Sequence, residues 1–426
     1  MGRWRSLAVL AAGLAPLAAC NGLLGNDGVS LFTRNGDGGH SDATSKLGPD
    51  SSAKHMADGG ADARREGGPP ADAGRDSTPD SGRDTGKADA VTCAPGSCPA
   101  TTPYCSTTGS CSATPPQCSF GGPGLTDCGD GTDNCCASSI VDGGTFYRTY
   151  SNSDGGGPTG EADPATISNV RLDEYEVTVG RFRAFAAYVS AGYYPPPGSG
   201  KHTHLAGGQG LMNAETGTYE LGWDSSNNQY VNPSSANLTS NCGEIWGDAG
   251  PAATWTSGPT HQDRLPINCV NWWEAYAFCI WDGGFLPSLA EREYAGAGGS
   301  MQLAFPWGNT PPGSQNLYAI YGCYFDAGTG VCQGLENIAP VGTAKEGPGL
   351  WGQMDLAGSV WEWDLDTATS LPSPCTDCAS LTPGTYTSFL GGTYDSPATS
   401  IEPGVHAGDM PSSRYSRVGV RCARTP

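Results

Sequence analysis

The residues best suited to chemistry lie in one short stretch, Gly349–Trp363, which reads GLWGQMDLAGSVWEW. It contains three tryptophans, three glycines and the carboxylates of Asp355 and Glu362. An ordinary amphipathic helix or strand does not need this composition. The composition favours a tight, aromatic-walled turn whose acidic oxygens point inward, and such a turn is a candidate metal site.

Two further motifs offer chemistry, and each also has a structural interpretation. Two histidines occur in Lys201-His202-Thr203-His204 and can ligate a metal from a strand, but no third ligand is obviously placed, so a polar surface loop is favoured. The pair Cys375-x-x-Cys378 resembles a redox motif. It lies in a Pro/Ser/Thr loop without a strand-to-helix context, so we predict a structural disulfide.

Seventeen cysteines indicate an oxidising compartment. If Cys20 serves another purpose, sixteen remain, enough for eight disulfides, although their pairing does not follow from the sequence. We predict a module held by disulfides for residues 93–140, because it has few large apolar residues. Zinc is the alternative, and it is disfavoured because the segment has no histidine among its cysteines and no CxxC pair. The adjacent Cys135 and Cys136 should pair with different partners, and Cys323 with Cys332 should close a local excursion.

The first twenty residues predict an export signal. Arg3 and Arg5 precede the apolar segment Leu7–Ala19, which is too short for a permanent membrane span. The following Leu-Ala-Ala-Cys20 resembles a bacterial lipobox, which predicts lipidation of Cys20; an ordinary secretory signal is the alternative. Leu24–Val91 is rich in Gly, Asp, Ser, Ala and Pro and predicts a flexible tether.

Composition restricts the fold and the partners. The 426 residues include 64 glycines and 33 prolines, which favours one large, loop-rich domain with appendages. The formal net charge of -21 argues against nucleic acid and an anionic membrane surface as partners, because both require a basic surface.

The hydrophobic pattern predicts the strands and helices that must position these residues. Alternation predicts strands at Gly144–Tyr150 and Val170–Thr178. Helical periodicity predicts Val179–Ser190 and Asn271–Trp281, and Ser288 with Glu291 forms a capping box that opens a further helix. Tyr193–Trp255 is a long Gly-, Asn-, Ser- and Tyr-rich loop, the kind of segment in which binding surfaces arise. Phe305–Asn309 (FPWGN) predicts an aromatic turn.

In order, the motifs are YEVT, INCVNWWEAYAFCIW, FLPSLAEREYA, FPWGN, DLAGSVWEW, GGTYDS and VGVRC. From about Gly143 to Arg424 the chain resembles the formylglycine-generating enzyme, or sulfatase-modifying factor, domain. The resemblance implies an irregular α+β fold, related to C-type lectins, with little regular secondary structure and bound Ca²⁺. The lipobox, acidic linker and cysteine module in front resemble a myxobacterial surface lipoprotein arrangement.

The resemblance also implies metal ligands. One Ca²⁺ would be held by Asp355, the carbonyls of Gly358 and Val360, and Glu362, which supply the hard oxygens that calcium prefers. The alternative is a metal-free turn with Glu362 hydrogen-bonded to the backbone. A second Ca²⁺ site would begin with Asn316 and the carbonyl of Leu317, but its downstream carboxylate has no clear match here.

Catalysis is where the sequence departs from the family. The family's oxidase uses two cysteines, four residues apart and just after a GGS-aromatic motif, to bind copper(I) and oxidise a substrate cysteine. Here Gly391-Gly392-Thr393-Tyr394 leads into Asp395–Ser400, and no cysteine lies between Cys378 and Cys422. Copper is therefore not expected, and no catalytic residue is predicted. Ser359, Arg292 and Leu390 also replace the residues usual in the family.

These observations predict a signal peptide at 1–20, a linker at 21–92, the cysteine module at 93–140 and the large domain at 141–426. We expect a monomeric lipoprotein of the cell envelope, anchored to the outer membrane by lipid alone. Its domain would bind a protein, peptide or glycan without catalysis. The alternative is an oxidoreductase, or related maturation enzyme, that acts on a protein cysteine by a changed mechanism. A purely structural envelope protein is a third interpretation.

Overall fold

Short strands and three α-helices are joined by long irregular segments. The computed structural model describes residues 121–152, 157–243, 252–326, 330–367 and 371–426, together with three short strands nearer the N-terminus. The predictions for Cys20, for nearly all of Leu24–Val91 and for most of the cysteine module fall outside these residues. In the described part, no helix has the length and apolarity needed to cross a bilayer.

The strands are short, and only three helices are α-helical in the described residues. The strands are β1 (Ser30–Phe32), β2 (Tyr104–Cys105), β3 (Cys111–Ser112), β4 (Ser138–Val141), β5 (Gly144–Ser151), β6 (Thr159–Ile167), β7 (Val170–Asp173), β8 (Met212–Asn213), β9 (Trp361–Thr367), β10 (Cys375–Thr376), β11 (Cys378–Ala379), β12 (Thr387–Leu390), β13 (His406–Asp409), β14 (Val418–Gly419) and β15 (Ala423–Arg424). The helices are α1 (Val179–Ser190), α2 (Trp272–Trp281) and α3 (Leu289–Gly296). Six 3₁₀-helices supplement them at Ala206–Gly208, Ser225–Tyr230, His261–Arg264, Gly299–Met301, Leu335–Asn337 and Ala398–Ser400.

The largest sheet has the strand order β1-β13-β12-β9-β14. Its strand β9 pairs antiparallel with β12 and parallel with β14, and all seven of its residues are buried. Two further sheets have three strands each, in the orders β10-β6-β5 and β15-β7-β4. Short strands in separate small sheets with few helices make an α+β, loop-rich fold, which confirms the predicted fold class.

The helices begin where the sequence places their caps. α1 spans the predicted residues, and the side chain of Thr178 accepts a hydrogen bond from the Arg181 N–H. α2 begins one residue later than predicted, because Asn271 is its cap and forms a capping box with Glu274. The predicted capping box of Ser288 and Glu291 opens α3.

The predicted strand Val170–Thr178 ends early, at Asp173. Tyr175–Thr178 are all buried, so burial no longer alternates, and no strand of a sheet includes these residues. The N–H of Val177 instead donates to the carbonyl of Val420 at 2.9 Å, and Thr178 turns away to cap α1. The pattern therefore predicts the start of the strand but overstates its length, and it does not predict the burial of Glu176 and Thr178.

The main core forms between α1, α2 and one face of β9. Phe182 stacks on Phe278 at 5.5 Å between ring centroids, and Trp281 packs against Phe278 at 5.8 Å. Full burial of a large apolar side chain contributes about 1.5–3 kcal/mol, so this aromatic cluster stabilises both helices against the sheet. The disulfide between Cys279 and Cys422 joins α2 to the C-terminal segment beside this core.

The segment before residue 141 packs onto the large domain. β4 pairs with β7, and Cys128 and Cys135 form a disulfide that packs against Tyr175 and Val341. The structure therefore places no boundary at residue 140. Cys136 is also disulfide-bonded, and since Cys135 pairs with Cys128, its partner is a different cysteine, as predicted.

One strand lies within the predicted tether. Ser30–Phe32 pairs antiparallel with β13 and so forms the outer strand of the large sheet. This differs from the expectation that all of Leu24–Val91 is flexible. The physical reason is that β13 would otherwise be an edge strand with unpaired backbone groups, which a passing segment can pair.

Candidate functional site

The stretch Gly349–Trp363 ends inside β9, which separates its aromatic from its acidic side chains. Successive side chains of a strand point to opposite faces. Trp361 and Trp363 pack edge-to-face on Phe389, at 5.5 and 5.1 Å between ring centroids. Glu362, on the other face, is 1% exposed. The tryptophans therefore serve packing, while the carboxylates face a separate, polar interior.

Glu362 is held by two buried arginines. Its Oε1 lies 2.9 Å from Nη2 of Arg421, and its Oε2 lies 2.6 Å from Nη2 of Arg292. Arg421 also donates to the backbone carbonyls of Asp173, Glu174 and Met354. Two guanidinium groups thus already compensate the charge that a cation would have to meet at Glu362.

Asp355 and Glu176 share the same interior. The Oδ2 of Asp355 accepts from the Gly342 N–H at 2.5 Å, and burial raises its pKa to about 6. Glu176 accepts from the Ser359 hydroxyl at 2.9 Å and from the Val360 N–H at 3.2 Å. Burial, together with Asp355 and Glu362, raises the pKa of Glu176 well above its usual range. Glu176 lies within the YEVT motif but was not predicted as a site residue.

The predicted first calcium site does not fit this arrangement. The structure brings Asp355, Gly358, Val360 and Glu362 into one turn, but Glu362 is bonded to arginines and Asp355 to a backbone amide. Across the residues that the structure describes, no group of three or more His, Cys, Asp or Glu side chains is arranged to hold a metal. Calcium binding at this turn would require the ion pairs to open.

Asn316 fits a cation better. Its Nδ2 donates to the Tyr324 carbonyl at 3.2 Å, while its Oδ1 is buried without a hydrogen-bond partner among the described residues. An unpaired buried amide oxygen is costly unless something binds it. The carbonyl of Leu317 accepts from the Glu346 N–H at 2.8 Å, so it has one lone pair left. One suitable oxygen from the predicted second calcium site is therefore in place.

The turn at Gly391 packs directly on the Gly358 turn. The Gly358 N–H donates to the Gly391 carbonyl at 2.7 Å, and the Tyr394 N–H donates to the Ser359 carbonyl at 2.7 Å. Gly358 has φ 82°, and a Cβ there would lie 2.3 Å from the carbonyl oxygen of Ile320, so only glycine fits. The two motifs therefore form one unit.

Hydroxyl and carboxylate groups, rather than thiols, occupy this unit. The hydroxyls of Thr393 and Ser396 lie 3.0 Å apart, and the Thr393 N–H donates to the Ser396 oxygen at 3.0 Å. Asp395 is ion-paired with the buried Arg417. These are hard oxygen donors that bond to one another, and none of them is the soft sulfur ligand that copper(I) prefers.

Every cysteine from residue 121 to residue 426 is disulfide-bonded. The structure pairs Cys323 with Cys332 and Cys375 with Cys378, as predicted. It also pairs Cys242 with Cys269 and Cys279 with Cys422, which the sequence left open. Thiolate chemistry therefore has no free cysteine within these residues.

Of the two histidines of the 201–204 motif, His202 does not lie at the surface, so the predicted polar surface loop is wrong for this residue; His204 is half-buried and Thr203 exposed. His202 is fully buried, with Nδ1 3.1 Å from Oε1 of Glu220 and Nε2 3.2 Å from Oε2 of Glu291. Burial alone lowers its pKa, but the two carboxylates outweigh burial and raise the pKa of His202 to about 10. His202 is therefore a buried cation that fastens the long loop to the start of α3. The capping box identified Glu291, but nothing in the sequence linked it to His202.

The fold and the site define a disulfide-stapled α+β domain built around two interlocked glycine turns with a buried arginine–carboxylate network. Residues 129–426 match the family model described as the Sulfatase-modifying factor enzyme 1-like domain. The chain belongs to this family. The match begins before the predicted Gly143 and includes Cys135, Cys136 and β4, in agreement with the packing of this segment.

Named relatives include an enzyme and a protein described as inactive. The chain is 30% identical to the formylglycine-generating enzyme of Thermomonospora curvata over 67% of this chain and 92% of that protein. It is 27% identical to the inactive C-alpha-formylglycine-generating enzyme 2 of Mus musculus, over 66% of this chain and 83% of that protein. The structure of PvdO from Pseudomonas aeruginosa, 20% identical, is matched over 72% of this chain and all of that chain with a TM-score of 0.40.

Proposed function

We propose that this protein is a lipid-anchored binding module on the scaffold of its family and does not carry out the family's oxidation of cysteine. The observation that carries the proposal is the Gly391 turn. There Thr393 forms hydrogen bonds with Asp395 and with Ser396, and no thiol is present. Copper(I) requires soft thiolate ligands, and every cysteine from residue 121 to residue 426 is in a disulfide. A mouse relative described as inactive supports a non-catalytic use of the scaffold.

The long loop that starts at Tyr193 supports the binding role. Its described part exposes large side chains, among them Tyr194, Tyr219, Tyr230 and Leu221, the last 88% exposed. The same loop is fastened to the core by buried His202 and by the disulfide of Cys242 with Cys269. An exposed surface on a fastened loop loses little conformational entropy when a ligand binds. Its ligand would be a protein, peptide or glycan.

The anchoring part of the proposal rests on the sequence. Lipidation of Cys20 would hold the chain at the outer membrane, and the segment Leu24–Val91 would let the domain reach away from the surface. A Cys20→Ser variant should then leave the membrane fraction and appear in the soluble envelope fraction. Retention of that variant in the membrane would contradict the anchor.

Structural calcium is a further part of the proposal and centres on Asn316. Its buried, unpaired Oδ1 offers a hard oxygen, while Glu362 is already neutralised by Arg292 and Arg421. Calcium there would stabilise the loop before Tyr324 and take no part in a reaction.

The test of the non-catalytic role is a direct assay. The full chain is incubated with copper(I), oxygen and a peptide that carries the cysteine of a sulfatase motif, with the Thermomonospora curvata relative as the positive control. We expect no aldehyde above the peptide-only background, measured with an aldehyde-reactive probe and by peptide mass. Aldehyde formed in proportion to protein concentration would overturn the proposal.

A further inference from the structure

A groove of about 310 Å³ opens between the end of α1 and the 3₁₀-helix Ser225–Tyr230. Its polar lining consists of Ser190, Tyr194, Asn228, Gln229, Asn232 and Ser234, with three apolar residues beside them. No charged side chain lines it, although the chain carries a net charge of -21. A neutral, amide-rich groove in so acidic a protein selects for an uncharged, polar ligand.

The amide side chains of the groove offer both donors and acceptors. The Oδ1 of Asn228 accepts from the Trp223 Nε1–H at 2.9 Å, which leaves its NH₂ as a donor. The Nε2 of Gln229 donates to the Ser226 carbonyl at 3.0 Å, which leaves its Oε1 as an acceptor. A hydroxyl group both donates and accepts a hydrogen bond, so neighbouring hydroxyls of one ligand match this pair of amides.

Aromatic rings stand beside the polar lining. Tyr194 lines the groove and is 42% exposed. Tyr230 follows Gln229 directly, is equally exposed, and stacks on Trp273 at 4.0 Å between ring centroids. Aromatic rings present an apolar face together with a polar tip, which suits a ligand that alternates C–H faces with hydroxyls.

The groove is held in shape from beneath. The Asn232 N–H donates to Oε1 of Glu274 at 3.0 Å, and Glu274 is itself paired with Arg414. Trp223, which orients Asn228, is 1% exposed. Because the framework is buried and bonded, the lining amides are positioned before a ligand arrives, and less entropy is lost on binding.

We infer that this groove binds a neutral oligosaccharide, an inference that rests on the proposed binding function and specifies its ligand class. Hydroxyl-rich sugars use the paired amides and the exposed ring of Tyr194 together. An acidic saccharide meets an unfavourable field from the net charge of -21. A peptide strand would require an open sheet edge, and the groove is built from helix ends and loops instead.

The experiment measures binding of the full chain to cellohexaose, chitohexaose, maltohexaose and mannohexaose by titration calorimetry, with hexagalacturonic acid as the acidic probe and a random peptide library as the alternative ligand. Tyr194→Ala and Gln229→Ala alter the groove. Their matched controls are Tyr147→Ala, a tyrosine 37% exposed on β5 and outside the groove, and Gln209→Ala, whose Nε2 likewise bonds to a carbonyl three residues back.

We expect at least one neutral hexasaccharide to bind, and each groove variant to weaken that binding about 5- to 10-fold while the controls stay within about 2-fold. Unchanged melting temperatures show that the variants remain folded. Sugar binding that groove and control variants reduce alike overturns this location. Binding only of peptides, or only of the acidic probe, overturns the ligand class but leaves the proposed binding function intact. Aldehyde formation in the separate copper assay overturns the proposed function itself. Absence of binding to all four neutral sugars overturns the inference.

Discussion

Replacing His202 with glutamine would remove the cation between two buried carboxylates. In the native domain, its ring nitrogens lie 3.1 Å from Glu220 and 3.2 Å from Glu291, and the ring packs on Phe285 at 3.9 Å between centroids. Glutamine can bond to one carboxylate but carries no charge. The variant therefore leaves two acidic groups facing each other in a site without solvent.

The magnitude follows from the shift in the pKa. A rise from 6.5 to about 10 corresponds to about 4–5 kcal/mol of preference for the charged ring in the folded state. Loss of one partner of a buried ion pair typically costs about 3–5 kcal/mol. We therefore expect His202→Gln to lower the free energy of unfolding by about 3–5 kcal/mol at pH 7.

The pH dependence gives a second, independent measure. Because the pKa of His202 is higher in the folded than in the unfolded chain, its contribution is complete below pH 6.5 and is lost as pH rises toward 10. Between pH 7 and 9, this one group should lower the stability of the native protein by about 1.4 kcal/mol per pH unit. The His202→Gln variant should lack that slope.

Denaturant unfolding at several pH values between 6 and 9 measures both effects, with His204→Gln as the matched control. His204 lies two residues away and stacks on the same Phe285, but burial lowers its pKa, so it is uncharged near neutral pH. Its variant should keep the alkaline slope and lose less than about 1.5 kcal/mol. A His202→Gln protein with the native midpoint, or with the native alkaline slope, would refute a buried imidazolium.

Two further predictions concern the covalent and ionic supports of the domain. The double variant Cys279→Ala/Cys422→Ala removes a disulfide that spans 143 residues, and its free energy of unfolding should fall by about 4–5 kcal/mol. The double variant Cys323→Ala/Cys332→Ala removes a disulfide that spans 9 residues and should lose only about 2.5 kcal/mol. Equal midpoints of the two variants in thermal unfolding would contradict the loop-entropy argument. Ca²⁺ at about 100 times its Kd should raise the free energy of unfolding by about 2.7 kcal/mol relative to a chelator. Asn316→Ala should abolish this gain, whereas Asp355→Asn should retain it. Identical melting in Ca²⁺ and in chelator would remove calcium from the proposal.

Local chemistry made the helices and turns predictable from the sequence. The bounds of α1 follow from hydrophobic periodicity together with a threonine cap, and α3 opens at the predicted capping box. The aromatic turn at Phe305 also forms, with reciprocal backbone hydrogen bonds between Phe305 and Gly308 at 2.9 and 3.0 Å. In each case the residues that decide the structure lie within a few positions of one another, so the sequence contains the whole interaction.

The partners of the charged residues were not predictable, because they come from distant parts of the chain. Arg292 was visible only as a departure from the family, yet it and Arg421 neutralise Glu362 from two separate segments. His202 was assigned to a polar surface loop because its two carboxylates, Glu220 and Glu291, lie 18 and 89 residues away. Burial of a charge depends on such non-local compensation, and a single sequence does not state it.

The position of β14 and Arg421 in the large sheet has a kinetic consequence. The parallel neighbour of β9, the second guanidinium on Glu362 and the cysteine bonded to α2 all come from Val418–Cys422, within the last nine residues of the chain. Contacts of such sequence separation form slowly, since a long loop must close before any of them forms. A chain that emerges N-terminus first, from a ribosome or through a membrane pore, therefore cannot pair β9 with β14 until Val418–Cys422 has emerged. Removal of that segment would leave the aromatic core and the carboxylate interior open together.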